Sequence, residues 1–369
     1  MRVGVDFHTF DGIFQGSRSH ILGLFRQVIE LAPDMHFYFF LGTPEALLAA
    51  DDGFGAPNVT LVKMRPASGV YRLGIQLPLL QKKYKLDLLH MQYRLPFVSV
   101  GPCACTMHDI LFETHPQFFS RFFTLQSRLT FQYAARRAQL LFTVSQFSQQ
   151  EIAKRYGVPQ SRIQVVYNGV DRDRFFPGDA GCERLAAFGL SSKNYILTVG
   201  RLEPRKNHVR LIEAYASLDG DVPPLVCVGQ KDFGYQPALD AARRLGIEEK
   251  VLFLEHIDDQ TLPLIMRHCS CFVFPALAEG FGMPVVEAMA SGVPVITSRS
   301  TSLTEIAGDG ALLVDPLDVS SITDGLAAVM RDPDFRQRLC RSGLDQSARF
   351  TWRKSAQILV DAYRSFSLS

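Results

Sequence analysis

Thirteen short apolar runs, alternating with stretches of helical periodicity, set the strongest limit on what this chain can become. Seven lie in the first half, at 2–6, 36–41, 59–64, 86–91, 104–108, 140–144 and 164–167. Six lie in the second, at 195–199, 225–228, 251–254, 271–275, 293–297 and 311–314. Strand and helix signals in alternation build a parallel sheet covered by helices. The series pauses at 169–181, after the turn Asn168-Gly169-Val170-Asp171, and then restarts. The expectation is an α/β protein of two Rossmann-like, doubly wound domains, 1–172 and 173–351. A length of 369 residues suits two or three domains.

Composition excludes several classes. A formal charge of +2 argues against a nucleic-acid partner, and 47% apolar residues leave ample core. The Cys103/Cys105 and Cys269/Cys271 pairs are C-x-C inside apolar runs, which suits core-facing strand positions and not metal knuckles. A reduced, cytoplasmic compartment is expected. The opening MRVGVDFHTF reads as a strand and not a signal peptide, and no apolar run reaches the roughly 18 residues of a membrane span.

Chemistry concentrates in a few places. AEGFGMPVVEAMAS, residues 278–291, carries Glu279 and Glu287 with seven residues between them. Gly280 and Gly282 flank Phe281, so the backbone there can lie close to a ligand. Pro284 suits a first helical turn and Gly292 a helix end, which leaves bare N–H groups near Met283 for an anion. Such a set fits a ligand with hydroxyls and phosphates; spacing alone equally fits a strand–turn–helix joint with two solvated glutamates.

Arg201 and Lys206 leave a strand end with four residues between them, either as a diphosphate clamp or as two surface cations. Asn207 is the expected cap of the helix that follows. After the first strand, a loop with Gly12 and Gly16 feeds a helix start, where N–H groups of Gly16 and Ser17 could meet a phosphate. His108 and Asp109 close another strand, at the edge where open α/β sheets bind ligands. Residues 118–137 hold four arginines, six aromatics and no acid; a membrane-surface helix and a core helix with solvated arginines are both consistent with that.

EGFGMPVVEAMASGVPVI resembles the E-x7-E signature of retaining glycosyltransferase family 4, enzymes of the two-domain GT-B fold. RLEPRKN resembles that family's diphosphate motif, the His108-Asp109 pair its H-D-hydrophobic motif, and VYNGVDRDRFFPG its interdomain segment. The resemblance implies an active site in an interdomain cleft and a last helix, 352–369, returning to the first domain with Trp352 as its anchor. It implies that Arg201, Lys206 and N–H groups near Gly16 and Met283 neutralise a leaving diphosphate, with no metal or other cofactor. Glu279 would hold sugar hydroxyls and Glu287 the ribose, with Gly280, Phe281, Gly282, Met283 and Val286 around the donor. His108 would touch the transferred sugar, Asp109 would orient the loop or the acceptor, and Asn168 would contribute to binding. Backbone at His256 and Ile257 would border the base, and Leu262 the ribose. Where the family often carries Gly-Gly, this chain has Gly16-Ser17.

The same segments look most like those of bacterial mannosyltransferases. This implies GDP-mannose as donor, a front-face displacement with retention, and a saccharide acceptor carried on a lipid such as undecaprenyl diphosphate. The setting would be polysaccharide or lipopolysaccharide assembly at the inner face of the cell membrane, with peripheral contact to anionic lipid. A UDP-sugar donor such as UDP-glucose, a nucleotide-sugar epimerase and a non-catalytic binding module are the rivals. A Rossmann oxidoreductase lacks its G-x-G-x-x-G.

Overall fold

The computed structural model describes residues 1–11, 16–98 and 100–368, so Gly12 lies outside the described residues. The chain divides into two compact units, Met1–Gly169 with Thr351–Ser369, and Val170–Phe350. The breaks thus follow Gly169 and Phe350, where the sequence suggested 172 and 351.

The first unit is built on seven parallel strands: β1 Arg2–Asp6, β2 His36–Leu41, β3 Val59–Lys63, β4 Leu88–Gln92, β5 Cys103–Thr106, β6 Leu140–Thr143 and β7 Ile163–Val165. Their order is β3-β2-β1-β4-β5-β6-β7. The second has β8 Ile196–Val199, β9 Leu225–Val228, β10 Val251–Leu254, β11 Cys271–Phe274, β12 Val295–Ser298 and β13 Leu312–Val314, ordered β10-β9-β8-β11-β12-β13. Each sheet therefore runs outward from its first strand, reverses, and continues on the other side. The reversal falls between β1 and β4 in one unit and between β8 and β11 in the other, and ligands of open α/β sheets bind at such points.

Helices cover both faces, so central strands are buried throughout and not alternating. All residues of β4, β5, β8, β9, β11 and β12 are buried. The buried cysteines 103, 105, 227, 269 and 271 sit on or beside these strands as free thiols. β4 begins two residues later than its apolar run. Lys85 turns at φ 50° and Leu86 N–H donates to Gln81 O, so these residues close the preceding helix.

The helix Trp352–Ser367 packs on the first unit against the helix Gly16–Leu31. Thr351 caps it, its hydroxyl accepting from Lys354 N–H at 3.3 Å. Gly23 makes the crossing possible, since a Cβ there would lie 2.3 Å from Trp352 Cε2. Leu359, Val360 and Tyr363 complete the core beneath. The basic aromatic stretch forms the helix Arg121–Arg137, capped by Ser120.

Candidate functional site

In the second unit the site grows from the ends of β8 and β11. Gly229, just after β9, lets the neighbouring chain in: a Cβ there would lie 2.0 Å from Gly200 O. Arg201 leaves this turn, and its Nη2 meets Asp232 Oδ2 at 2.7 Å. The 3₁₀ turn Pro204–Lys206 then carries two cations to one carboxylate. Lys206 Nζ pairs with Glu279 Oε1, and Arg205 Nη1 lies 2.9 Å from the same oxygen. Arg205 also donates to Ala278 O at 2.8 Å and Glu203 Oε1 at 2.6 Å. The Lys206 ammonium stands 5.0 Å from the Phe274 ring centre.

Glu279 is buried. Burial by itself would raise its pKa, but Arg205 and Lys206 outweigh that and hold the carboxyl below the usual range. Burial pushes the Lys206 ammonium down, with Glu279 opposing. The Glu279 backbone is fixed as well. Its N–H donates to Thr301 Oγ1 at 3.0 Å, and Ser302 Oγ donates to its carbonyl at 2.8 Å.

Gly282, at φ 99°, turns the chain into the helix Met283–Ala290. A side chain there is excluded twice, by that φ and by Leu303 Cδ2 at 2.5 Å from a Cβ. Glu287 lies partly exposed in the second turn of this helix, and burial lifts its carboxyl to about 7 against the pull of Arg174. After β10, His256 is exposed at φ 57°, with Ile257 and Leu262 half-buried.

Several expectations change. The Asn207 side chain does not cap its helix; its Nδ2 donates to Pro275 O at 3.0 Å and Pro316 O at 2.7 Å, tying β8 to the exits of β11 and β13. Val286 is a core side chain, and Phe281 packs edge-on against Phe350 at 5.7 Å, so either can offer a ligand only its backbone. Arg205, read from sequence as structural or solvated, joins the Glu279 cluster, and Asp232 was missed. Their signal was slight: Arg205 is one of three cations within RLEPRK, and Asp232 follows a strand end.

In the first unit the reversal gathers neutral groups. His108, past β5, is buried, with Nε2 2.9 Å from Gln92 Oε1 at the end of β4. The Gln92 carboxamide thereby engages Nε2 of the ring. The ring stacks on Tyr93 at 4.9 Å and meets the edge of His20 at 4.4 Å. His90 Nε2 lies 2.7 Å from Thr106 Oγ1. Burial lowers His20 to about 4, His90 to about 3 and His108 well below its ordinary value.

Asn168 Oδ1 contacts His20 Nδ1 at 2.7 Å in this interior, so its side chain is engaged inside the unit. Asp109 Oδ1 accepts from Leu111 N–H at 3.1 Å, holding the loop after β5. Gly16 and Ser17 open the helix after β1. Asp6, at the end of β1, is fully buried; burial would raise its pKa, but His8 and Arg72 pull it down to about 2. The supporting roles of Gln92, His20 and Asp6 left no motif in the sequence.

Comparison with known proteins agrees with this architecture. Residues 186–345 match the family model described as Glycosyl transferases group 1, and residues 14–174 the model Glycosyltransferase Family 4. O-antigen chain mannosyltransferase B of Escherichia coli is 31% identical over 263 residues, 70% of this chain and 69% of that protein. A D-inositol 3-phosphate glycosyltransferase of Mycolicibacterium smegmatis is 32% identical over 239 residues, 63% of this chain and 54% of its own length. The serotype-specific mannosyltransferase WbdA of Escherichia coli is 30% identical, but the aligned region is 62% of this chain and 29% of WbdA. The sucrose-phosphate synthase of Thermosynechococcus elongatus superposes with a TM-score of 0.79 over 100% of both chains at 19% identity, which speaks to the fold alone. The fold is GT-B, and the chain belongs to the group 1/family 4 glycosyltransferases.

Proposed function

We propose that this protein is a retaining, metal-independent mannosyltransferase that uses GDP-mannose to extend a lipid-linked saccharide in polysaccharide or lipopolysaccharide assembly. The mannosyl reading is supported by relatives named as O-antigen mannosyltransferases, at 31% and 29% identity. The chemical reading rests on one observation: Lys206 and Arg205 converge on a single oxygen of buried Glu279 at the sheet reversal.

The second unit holds the donor. As the glycosidic bond breaks, the diphosphate gathers negative charge, and Arg201 and Lys206 stabilise it in place of a divalent metal. N–H groups near Met283 and, in the first unit, Gly16 and Ser17 add fixed dipoles. Asp232 and Glu279 hold these cations in place. Glu279 then accepts from hydroxyls of the transferred sugar and stabilises an oxocarbenium-like state. Glu287 accepts from the ribose hydroxyls. Backbone at Gly280, His256 and Ile257, with Leu262, borders the nucleoside. In the first unit, His108 meets a sugar hydroxyl, and Asp109 shapes the loop beside it. The leaving phosphate takes the acceptor's proton, so attack and departure share one face and configuration is kept.

The test is a donor panel, measured by calorimetry and by slow donor hydrolysis, in the presence of EDTA. Selective binding of GDP-mannose over GDP-fucose, UDP-glucose, UDP-galactose and UDP-N-acetylglucosamine is the expected result. Selectivity for a UDP-sugar would discard the mannosyl assignment. Loss of turnover in EDTA would discard metal independence. Conversion of the free donor to an epimer would replace transfer with epimerisation.

A further inference from the structure

The loop after β9, residues 230–235, carries an aromatic ring into water on a fixed backbone. Phe233 is exposed at 87%, more than any other Phe, Tyr or Trp among the described residues. Isolated exposed apolar side chains are ordinary. This one differs in what lies beneath it. Leu202 N–H donates to Gln230 O at 2.9 Å and Asp232 N–H to Leu202 O at 3.3 Å, so the loop is laced to the chain leaving β8. Lys231 Nζ meets Glu255 Oε1 at 2.7 Å, which ties the same loop to the chain leaving β10. Gly234, at φ 75°, turns the backbone where a Cβ would lie 2.8 Å from Pro204 Cγ.

One carboxylate links this loop to the cations. Asp232 Oδ2 pairs with Arg201, and its Oδ1 accepts from Phe233 N–H at 2.7 Å. The residue that holds Arg201 therefore also fixes the backbone from which the Phe233 ring projects. A phenyl ring has no polar group and offers a ligand only its face or edge. A ring on an ordered backbone loses little freedom on binding, because only its two side-chain torsions remain to be fixed. In the sheet β9 lies between β10 and β8. Its loop thus lies between the exit that carries Arg201 and the exit that carries His256, the places given above to the diphosphate and the base. Glu279, which takes the sugar, follows β11 on the far side of β8. The flat group on this side of the diphosphate is the nucleobase, and not the hexose.

We infer that Phe233 is the stacking platform for the nucleobase of the donor, and that it favours a purine, whose larger face overlaps more of the ring. The inference rests on the second unit being the donor unit, as proposed above, and is independent of which sugar is transferred.

The test is calorimetry of the full chain with GDP, UDP and inorganic pyrophosphate, on wild type, Phe233→Ala and Phe233→Trp. Phe233→Ala should weaken GDP about tenfold and leave pyrophosphate, which has no base, unchanged. Its melting temperature should remain that of wild type, since the ring is exposed. Phe233→Trp should keep the GDP affinity and add an emission that GDP quenches and pyrophosphate does not; the natural chain has one tryptophan, Trp352, in the first unit. Wild-type affinity of Phe233→Ala for whichever nucleotide the natural protein binds more tightly overturns the inference and leaves the donor reading standing. An equal loss for pyrophosphate also overturns it, because the residue would then act only through Arg201. So does a tryptophan at 233 whose emission ignores saturating nucleotide. Wild-type protein that binds neither nucleotide overturns the donor reading, and the inference with it.

Discussion

The two units share a winding and differ in what they keep at its reversal. The second gathers charge: Arg201 with Asp232, and Arg205 and Lys206 with Glu279. The first centres on hydrogen-bonded imidazoles, His20, His90 and His108, which burial keeps uncharged, with Asp6 paired to His8 and Arg72 beside them. The difference teaches that the scaffold supplies a place and the side chains supply the chemistry. Charged groups suit a diphosphate that accumulates charge. Neutral donors and acceptors suit hydroxyls, whose charge does not change.

The largest effect should come from the charged side. Lys206→Ala is expected to lower kcat/KM by a factor of about 10²–10³ or more in a transfer assay. Glu279 keeps Arg205, so the melting temperature should change little. Near-normal turnover would break the contrast at its strongest point.

Acidity comes next, and it acts with opposite sign on His20 and His90 of the first unit and on Glu287 of the second. His20 and His90 are lowered by burial to about 4 and about 3 from 6.5, so between these values the unfolded chain binds protons that the folded one does not. Their contribution is complete above 6.5 and is lost as pH falls, by up to about 1.4 kcal/mol per pH unit for each group. Glu287 is raised by burial from 4.5 to about 7, so there the folded state binds the extra proton and stability is lost as pH rises through that window. Glu287→Gln should therefore steepen the gain of stability with rising pH between 4.5 and 7, read from melting curves across pH. An unchanged profile would remove Glu287 from the comparison.

Gly23→Val tests the docking of the last helix. A Cβ 2.3 Å from Trp352 Cε2 forces a shift, with an expected loss of about 1–3 kcal/mol in chemical denaturation. The smallest effect should be Gln92→Leu, which removes the group that holds His108 Nε2. A fall of about tenfold in kcat, with donor affinity unchanged in calorimetry, would show that the neutral network orients a group that meets the sugar.

The charged half was the more legible, and the reason is physical. A diphosphate clamp needs particular cations at a fixed distance along one strand exit, and a nucleotide-sugar site needs carboxylates one helix start apart. Arg201, Lys206, Glu279 and Glu287 are local in this sense, and their spacing survives in sequence. All thirteen strands were legible for a similar reason: parallel strands covered on both faces are short apolar runs. Their ends were less so, because Lys85 and Leu86 close a helix through tertiary hydrogen bonds and not through propensity. Arg205, Asp232, Gln92 and His20 were illegible as partners, since each acts on a residue brought close only by strand order.

The sequence by itself determined two doubly wound α/β units, the turn between them and the placing of the main cations and carboxylates at strand exits. Periodicity and short-range spacing carry that information. Only the tertiary structure decided that Lys206 and Arg205 share one oxygen of Glu279, that Asn207 braces three strand ends in place of capping, and that the histidines are neutral. Those outcomes depend on the order of strands in the sheet and on the water excluded around them, and neither is written in any local stretch of chain.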